Sequence, residues 1–510
     1  MYLICSMNNK TRICCTILIL TLLASIEITA QNVGEKEYGK WYVETSGYVS
    51  TGKALPFWNY TNKGGVIPET SGGLVRGGVH DDYHYGKNFS FGWGIGLAGY
   101  AAAKGNEYVH NSDGNSMRGM IQELYASATW KKLNMDIGIR RRETEFGGLS
   151  VTGGNITWSD NAQSFPGYNL KSEWITVPGT KEVMSVRFTF GDYGLWDNRF
   201  VKHTLLHNQS LYFKFALNHS RNFTLTAGME AWAQWGGNSP IYGPQPRSFH
   251  DYLRIIVGAG GDDNATISDQ INALGNHLGR ELIRLDYDKE KWHLTIQHDR
   301  PFDDGSGIGF QNFPDAVNTI YFAFKDKDKW FSDFLFEFIY TKCQSGDHHE
   351  RPATLEELKK HPDKLYYIVG GNDDYFNNGE YQSAWTYNGR TIGIPLFYAA
   401  PKDKDGVTRG VVNNRIVAFN VGVSGKIARQ VPYTMKLTYS KNFGRYSQSI
   451  DLFKSAPRQV SGAFELALPE PVFRGTTGIS FGMYADKGSV FPDTVGLSVK
   501  LSWMGKMSSK

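Results

Sequence analysis

The sequence predicts an all-β membrane protein: a large antiparallel transmembrane β-barrel of about eighteen strands, with short helices plugging or flooring the lumen. Three observations lead there. Apolar side chains recur at alternate positions in one segment after another, the period of a strand with one apolar face. The 510-residue chain is 14% aromatic and carries 57 glycines, yet its mean hydropathy is −0.39. A wall that is apolar only at every second position gives that mixture, whereas helical spans would raise the mean. Finally, an apolar leader opens the chain, and no later run of about 18 apolar residues follows it.

Lys10 and Arg12 precede the apolar run Ile13–Ala24, and Ile28-Thr29-Ala30 offers a cleavage site before Gln31. Residues 1–30 are therefore expected to be a secretory signal peptide, with Met7 an alternative start. Cys5, Cys14 and Cys15 fall in this leader, so the remainder keeps Cys343 alone and no internal disulfide is expected. The net charge of +4 is small for the length and points away from nucleic acid. Residues 31–510 are expected to form one outer-membrane barrel domain, with plug or loop insertions near 141–181, 235–280 and 343–382.

The strands are read in order. Trp41–Thr51 and Leu74–His80 open the barrel. In Phe89–Tyr100 (FSFGWGIGLAGY), Phe89, Phe91, Trp93, Ile95 and Leu97 share one face and Ser90, Gly92, Gly94, Gly96 and Ala98 the other. The aromatic face suits lipid, and the bare face leaves room inside the wall. Ile121–Trp130 and Leu133–Arg140 form a hairpin around Lys131-Lys132. The Gly- and Pro-rich stretch 141–181 reads as loop or plug. Met184–Phe190, Leu211–Asn218 and Phe223–Glu230 continue an up-and-down meander. Ser268 as cap, Ile271, Leu274 and Leu278 at helical spacing, and Gly279 as stop predict a short helix over Asp269–Gly279, placed inside or below the barrel. Strands resume at Glu281–Asp288, Trp292–His298, Asn318–Phe324 and Trp330–Tyr340. Within the interruption that follows, Thr354 and Glu357 form a capping box for a helix that stops at Pro362. The remaining strands are Tyr387–Phe397, Asn414–Gly425, Tyr433–Ser440, Val460–Leu468, Gly478–Ala485 and Thr494–Trp503.

Four constellations carry possible chemistry. Gly258–Asp263 (GAGGDD) lacks the following helix and the lysine of a phosphate loop, and reads as a turn. His298, Asp299, Asp304 and Ser306 hold the parts of a hydrolase, but His298 and Asp299 are adjacent on a strand and face opposite ways. His348, His349, Glu350 and His361 match no familiar metal-ligand spacing. The stretch Gly370–Phe397 brings Asp373, Asp374 and Arg390 together with Tyr375, Tyr381, Trp385 and Tyr387. Aromatic faces stack on sugar rings while carboxylates and guanidinium bond their hydroxyls, so these seven residues are the candidate polysaccharide site. Packing of an aromatic girdle and of the lumen is an equal reading of the same residues. No catalytic, metal or cofactor site is expected.

The chain resembles the Wzi-type outer-membrane capsule assembly proteins, in the form found in Bacteroides and relatives. The resemblance rests on Pro56-Phe57-Trp58, Gly73–Gly78 (GLVRGG), Asp197–Lys214 (DNRFVKHTLLHNQSLYFK), DYLRIIVGAGG from Asp251, DQINALGNHLG from Asp269, DDGSGIGF from Asp303 and the Gly370–Phe397 stretch. It implies a barrel with associated helices and a lectin-like role in holding capsular polysaccharide at the cell surface, without enzymatic activity; it supplies no motif for glycan contact. The expected partners are capsular or other surface polysaccharide, outer-membrane lipid and the barrel-assembly machinery, with the protein a monomer. A porin or substrate channel is the first alternative and an outer-membrane hydrolase the second.

Overall fold

The computed structural model describes residues 37–508 except 86–87, 104–115, 348, 361, 447–448 and 469–477. The expected signal peptide lies outside the described residues.

Eighteen strands follow one another around a closed antiparallel barrel. They are β1 (Glu37–Ser50), β2 (Gly72–Tyr85), β3 (Phe89–Ala102), β4 (Ser116–Trp130), β5 (Leu133–Ile139), β6 (Gly167–Ser172), β7 (Met184–Gly194), β8 (Leu205–Ala216) and β9 (Phe223–Trp235). Then come β10 (Asn276–Asp288), β11 (Trp292–Phe302), β12 (Ala316–Phe324), β13 (Asp333–Tyr340), β14 (Ile416–Ile427), β15 (Val431–Asn442), β16 (Arg458–Leu468), β17 (Gly478–Gly488) and β18 (Thr494–Ser508). Closure is made by β1 against β18, with Glu37 opposite Ser508 and Ser50 opposite Gly496. Every strand thus has two partners and no edge is left unpaired, the condition for a sheet in hydrocarbon. No helix among the described residues is long and apolar enough to cross a membrane.

The alternation sorts as the sequence requires. Phe89, Phe91, Ile95 and Leu97 of β3 are exposed on the outer face, while Gly92, Gly94, Gly96 and Ala98 are buried. Leu124, Ile137, Leu211, Met229, Ile283, Ile296, Ile320, Met435, Leu437, Met483, Leu497 and Val499 extend that exposed apolar belt around the barrel. A belt of this extent is the face of a protein solvated by lipid. The room inside β3 is taken by its neighbours rather than by a helix: a Cβ at Gly94 would strike the Tyr125 ring, and one at Gly96 would meet the Tyr42 hydroxyl and Glu123.

Two expectations are overturned, and they cancel in the strand count. Gly167–Ser172, inside the expected loop 141–181, is strand β6, paired with β5 and β7. Its alternation of Tyr168 and Leu170 with Asn169 and Lys171 is too brief to stand out of a Gly/Pro-rich context. Conversely, Tyr387–Phe397 is not a wall strand. Thr386–Tyr387 and Arg390–Thr391 pair about Asn388-Gly389, whose φ values of 50° and 82° make the tight reversal that this dipeptide favours. Ile392, Ile394 and Leu396 then alternate because they fill a core, each at most 2% exposed.

The helices also move. The expected Asp269–Gly279 helix is α3, Ile267–Ile271, capped by Thr266 and not by Ser268; Asn276 onward is already β10, with Gly279 inside the strand. It is preceded by α2 (Phe249–Val257), which opens on a Ser248/Asp251 capping box and ends at Gly258 with φ 63°. GAGGDD is accordingly a helix C-cap and loop. The Thr354/Glu357 box is present, each residue's side chain accepting the other's backbone N–H.

Connections divide by end. At the end holding both termini they are short, such as 131–132, 217–222, 289–291 and 428–430. At the other end run 51–71, 140–166, 236–275, 303–315 and 341–415. Outer-membrane barrels carry short turns on the periplasmic side and long loops on the outside.

Candidate functional site

The long loops fold inward and fill their end of the barrel. One continuous apolar cluster joins Leu206 and Trp232 on β8 and β9, through loop residues Phe57, Trp58, Ile156, Trp158, Phe165, Trp385, Ile394 and Phe397, to Ala463 and Tyr484 on β16 and β17. These strands stand on opposite sides of an eighteen-membered ring, so the core spans the lumen from wall to wall.

Each contributing segment is tied to the wall by polar bonds. Pro56-Phe57-Trp58 leads into a single helical turn in the lumen, α1 (Phe57–Tyr60). The Phe57 N–H donates to Asp486 at 2.8 Å and the Trp58 indole to Thr438 at 3.0 Å. Residues 149–165 hang from three inward carboxylates. Glu337 on β13 accepts from the Ser150 hydroxyl (2.6 Å), the Val151 N–H (2.9 Å) and the Asn420 amide (2.8 Å). Glu230 on β9 accepts from Asn155 at 2.9 Å, and Asp299 on β11 from the Ile156 N–H at 3.1 Å. Buried carboxylates without such partners would be costly, so wall and plug specify one another. Arg199, 1% exposed, pairs with Asp197 and donates to the carbonyls of Thr386 and Ala384. That contact accounts for part of the DNRFVKHTLLHNQSLYFK stretch.

The seven sequence-predicted site residues lie at the long-loop end, and five of them are built into the plug. Tyr375 and Trp385 are 0% exposed. The Trp385 indole donates to the Thr157 carbonyl at 2.6 Å, and its ring meets Trp232 edge-on at 5.6 Å. The Tyr375 hydroxyl donates to Asp315 at 2.9 Å and accepts from Asn312. Tyr381 packs with Phe200, Val201 and Val407, and its hydroxyl donates to the Gly236 carbonyl. Tyr387 lies edge-on to Phe165. Arg390 donates to the carbonyls of Tyr60 and Ile67 and covers the Tyr60 ring. None of these rings offers an open face to a sugar; the packing reading of the stretch is the one the geometry follows. Asp373 and Asp374 are half-buried: Asp373 accepts from Ser345 at 2.8 Å, and Asp374 pairs with Arg445 and accepts from Asn414. Burial, then the neighbouring Asp373 carboxylate, holds Asp303 well above the usual carboxylate range. Burial likewise pushes Asp315 up to about 6, against the opposing pull of the Gln344 and Cys343 N–H groups and the Tyr375 hydroxyl.

Among the exposed aromatic side chains at this end, Trp196 (73%), Tyr242 (50%) and Tyr366 (61%) carry a polar group. The sequence carries little sign of the first two, since each is a lone ring among turn residues, while Tyr366 stands beside Tyr367 at the start of a short loop strand. The hydrolase parts do not assemble. His298 faces outward and shares a hydrogen bond with Asn318, Asp299 faces inward, and the Asp304 carboxylate accepts the Gly307 N–H. The Ser306 side chain lies outside the described residues, as do His348 and His361. Of the metal candidates that remain, His349 bonds the Ser345 carbonyl and Glu350 is exposed in a two-stranded loop.

A carboxyl pair joins the plug to the rim. Asp269 on α3 accepts the Gly275 N–H, and Thr266 donates to Glu380. Burial, reinforced by the Glu380 carboxylate, raises Asp269 from 3.8 to about 7. The folded state therefore holds this proton more tightly than the unfolded chain. Stability from the site is complete below 3.8, erodes as pH rises, and is gone above about 7. Amide exchange across residues 262–275 is expected to be faster at about pH 8 than at about pH 5 after correction for intrinsic rates, and Asp269→Asn is expected to remove the difference.

No family model and no curated protein sequence matches the chain. Solved structures do. Wzi, a carbohydrate-binding outer-membrane β-barrel involved in group 1 capsule assembly in Escherichia coli, matches with a TM-score of 0.51 at 12% identity, covering 98% of this chain and 89% of that one. OccK3 (OpdO) of Pseudomonas aeruginosa matches at 0.45 and 10% identity over 93% of this chain and 97% of that one. OprD of the same organism matches at 0.42 and 9% over 94% and 98%. The chain has the fold of an outer-membrane β-barrel, with its own loops packed across one end.

Proposed function

We propose that this protein is a lectin-like component of the outer membrane that binds capsular or other surface polysaccharide and helps attach or assemble it at the cell surface. The observation that carries the reading is the core joining opposite walls. Loops packed across the long-loop end are suited to holding a polymer outside. The similarity to Wzi, itself described as carbohydrate-binding, supports the same direction. Binding falls to the exposed loop tips, with Trp196, Tyr242 and Tyr366 as the stacking platforms. The protein acts as a monomer without catalysis, delivered to the membrane by the barrel-assembly machinery.

The test is direct. Purified protein is expected to retain the capsular glycan of its own cell and to leave its chain length unchanged. A deletion strain is expected to shed that glycan into the medium. Absence of binding together with a normal attached capsule would sink the proposal. Trp196→Ala and Tyr366→Ala are each expected to weaken glycan binding by about 0.5–1.5 kcal/mol while the barrel assembles normally, read by calorimetry on the purified variants.

A porin or substrate channel is the second reading. It is favoured by the lumen beneath the plug, where a cavity of about 360 Å³ is lined by Arg140, Arg142, Arg187, Arg280 and Lys171 together with Asp136 and Glu230. Steady single-channel steps from the unaltered protein in planar bilayers would establish that reading, and silence favours the first.

A further inference from the structure

Helix α2 lies outside the barrel. The register of β8 with β9 sets Leu206, Asn208 and Tyr212 inward and His207, Gln209 and Leu211 outward. Yet His207 is only 1% exposed, because α2 covers it. The Tyr252 ring stands edge-on to His207 at 5.5 Å, and its hydroxyl reaches the outward Asp192 of β7 at 2.7 Å. Gln209 donates to the Ile256 carbonyl at 2.7 Å, and Trp235 of β9 stacks on Tyr252 at 5.1 Å. Ile255 completes the contact with Ala233, Trp235 and Leu274. The loop 303–315 does the same next door. Arg300 of β11 faces outward, paired with Glu281 of β10, and is closed over by the Phe310 ring at 3.6 Å, the Ile308 carbonyl and Asn312. Two loop segments thus form a collar on the outer wall, over polar positions that a bare barrel would turn to its surroundings.

The collar's own outer face is apolar. Phe249, Leu253 and Val257 follow one another at four-residue steps along α2 and are 75%, 46% and 74% exposed; Phe310 and Phe313 are 65% and 68% exposed. A helix end facing water would carry polar groups there. On β8 and β9 the exposed belt runs up to Leu211 and Met229, one outward position short of Gln209. The stripe on α2 therefore continues the lipid-facing surface of the wall, and the helix has the amphipathic build of one lying in a membrane interface, with an apolar side down and His250 and Arg254 at its flanks.

We propose that this collar is a membrane-seating element: Phe249, Leu253 and Val257 of α2, with Phe310 and Phe313 alongside, insert into the lipid leaflet at the long-loop end and fix the height of the plugged mouth above it. The occupant is lipid, because the stripe is continuous with the belt.

The test uses the full chain purified from outer membranes, in a Cys343→Ser background and reconstituted in phosphatidylcholine/phosphatidylglycerol vesicles. Nitroxide labels are placed singly at Phe249→Cys, Leu253→Cys and Val257→Cys, with Leu211→Cys as lipid reference and Trp196→Cys as water reference. Relaxation by oxygen exceeding that by a water-soluble nickel chelate, as at Leu211, is expected at all three sites. Nickel access equal to that at Trp196 would overturn the proposal. So would efficient cross-linking of two copies through Val257→Cys, which would make the stripe a contact between copies, or protection that arises only when capsular glycan is added. Should one cysteine variant fail to assemble, as judged by heat-modifiable migration, the other two still decide.

Discussion

Trp385→Ala is expected to convert a silent barrel into a leaking one. Trp385 is fully buried where two parts of the plug meet the wall: its indole bonds the 149–165 segment at Thr157, its ring touches the wall at Trp232, and Phe376 of its own loop packs on it at 6.4 Å. Truncation of a buried tryptophan costs about 3–5 kcal/mol through lost burial and the cavity left behind. That cost falls on the plug and not on the wall, whose strands are held by their ladder hydrogen bonds and whose pairing Trp385 does not touch. The variant should reach the outer membrane at normal levels and migrate as a folded barrel. It should also show intermittent conductance in planar bilayers and admit large antibiotics to cells. Trp385→Phe, which keeps most of the volume but loses the bond to Thr157, should lie between the two. Unaltered silence in Trp385→Ala would mean that the remaining core closes the lumen unaided.

The wall was legible in the sequence because lipid imposes one rule on every strand. Phe89–Ala102 and Thr494–Ser508 announce themselves by alternation, since one face must be apolar along the whole crossing. The plug obeys no such rule. Ile392, Ile394 and Leu396 alternate inside a packed core and mimic a wall strand, while Gly167–Ser172 is a true wall strand too short to show its period. By composition the Gly370–Phe397 aromatics suit sugar platforms and core packing equally, because burial is a property of the assembled loops. Nothing local to Tyr375 or Trp385 says that Asp315, Thr157 and Trp232 will be waiting for them. The collar escaped for a related reason. Phe249–Val257 is apolar on two faces, and which face meets His207 and which meets lipid follows from the register of β8, not from the helix.

The largest effect on the plug's anchorage is expected from Arg280→Ala. Arg280 projects inward from β10 and bonds Asp299 at 3.0 Å and the Gly154 carbonyl at 2.9 Å, with Tyr212 at 3.3 Å and Glu230 at 3.4 Å. The same two carboxylates hold Asn155 and Ile156 of the plug. Alanine leaves two buried acids facing one another with little to offset them, and removing one partner of a buried ionic cluster costs about 3–5 kcal/mol. Arg142, stacked 3.4 Å over Trp158 and 3.8 Å from Glu230, stays in place and shifts the expectation toward the lower value. Arg280→Lys should recover little of the loss, because one ammonium cannot reach Asp299, Glu230 and the Gly154 carbonyl in the geometry a guanidinium fork provides. Removing the charge on both sides is the informative control. Arg280→Met with Asp299→Leu trades the pair for apolar volume and should cost less than Arg280→Ala alone, because it leaves no stranded charge at Asp299. Protease cutting and amide exchange within residues 149–165 would read the difference. An Arg280→Ala protein in which that segment stays as protected as in the parent would show that the contacts of Glu337 with Ser150 and Val151 carry the anchorage by themselves.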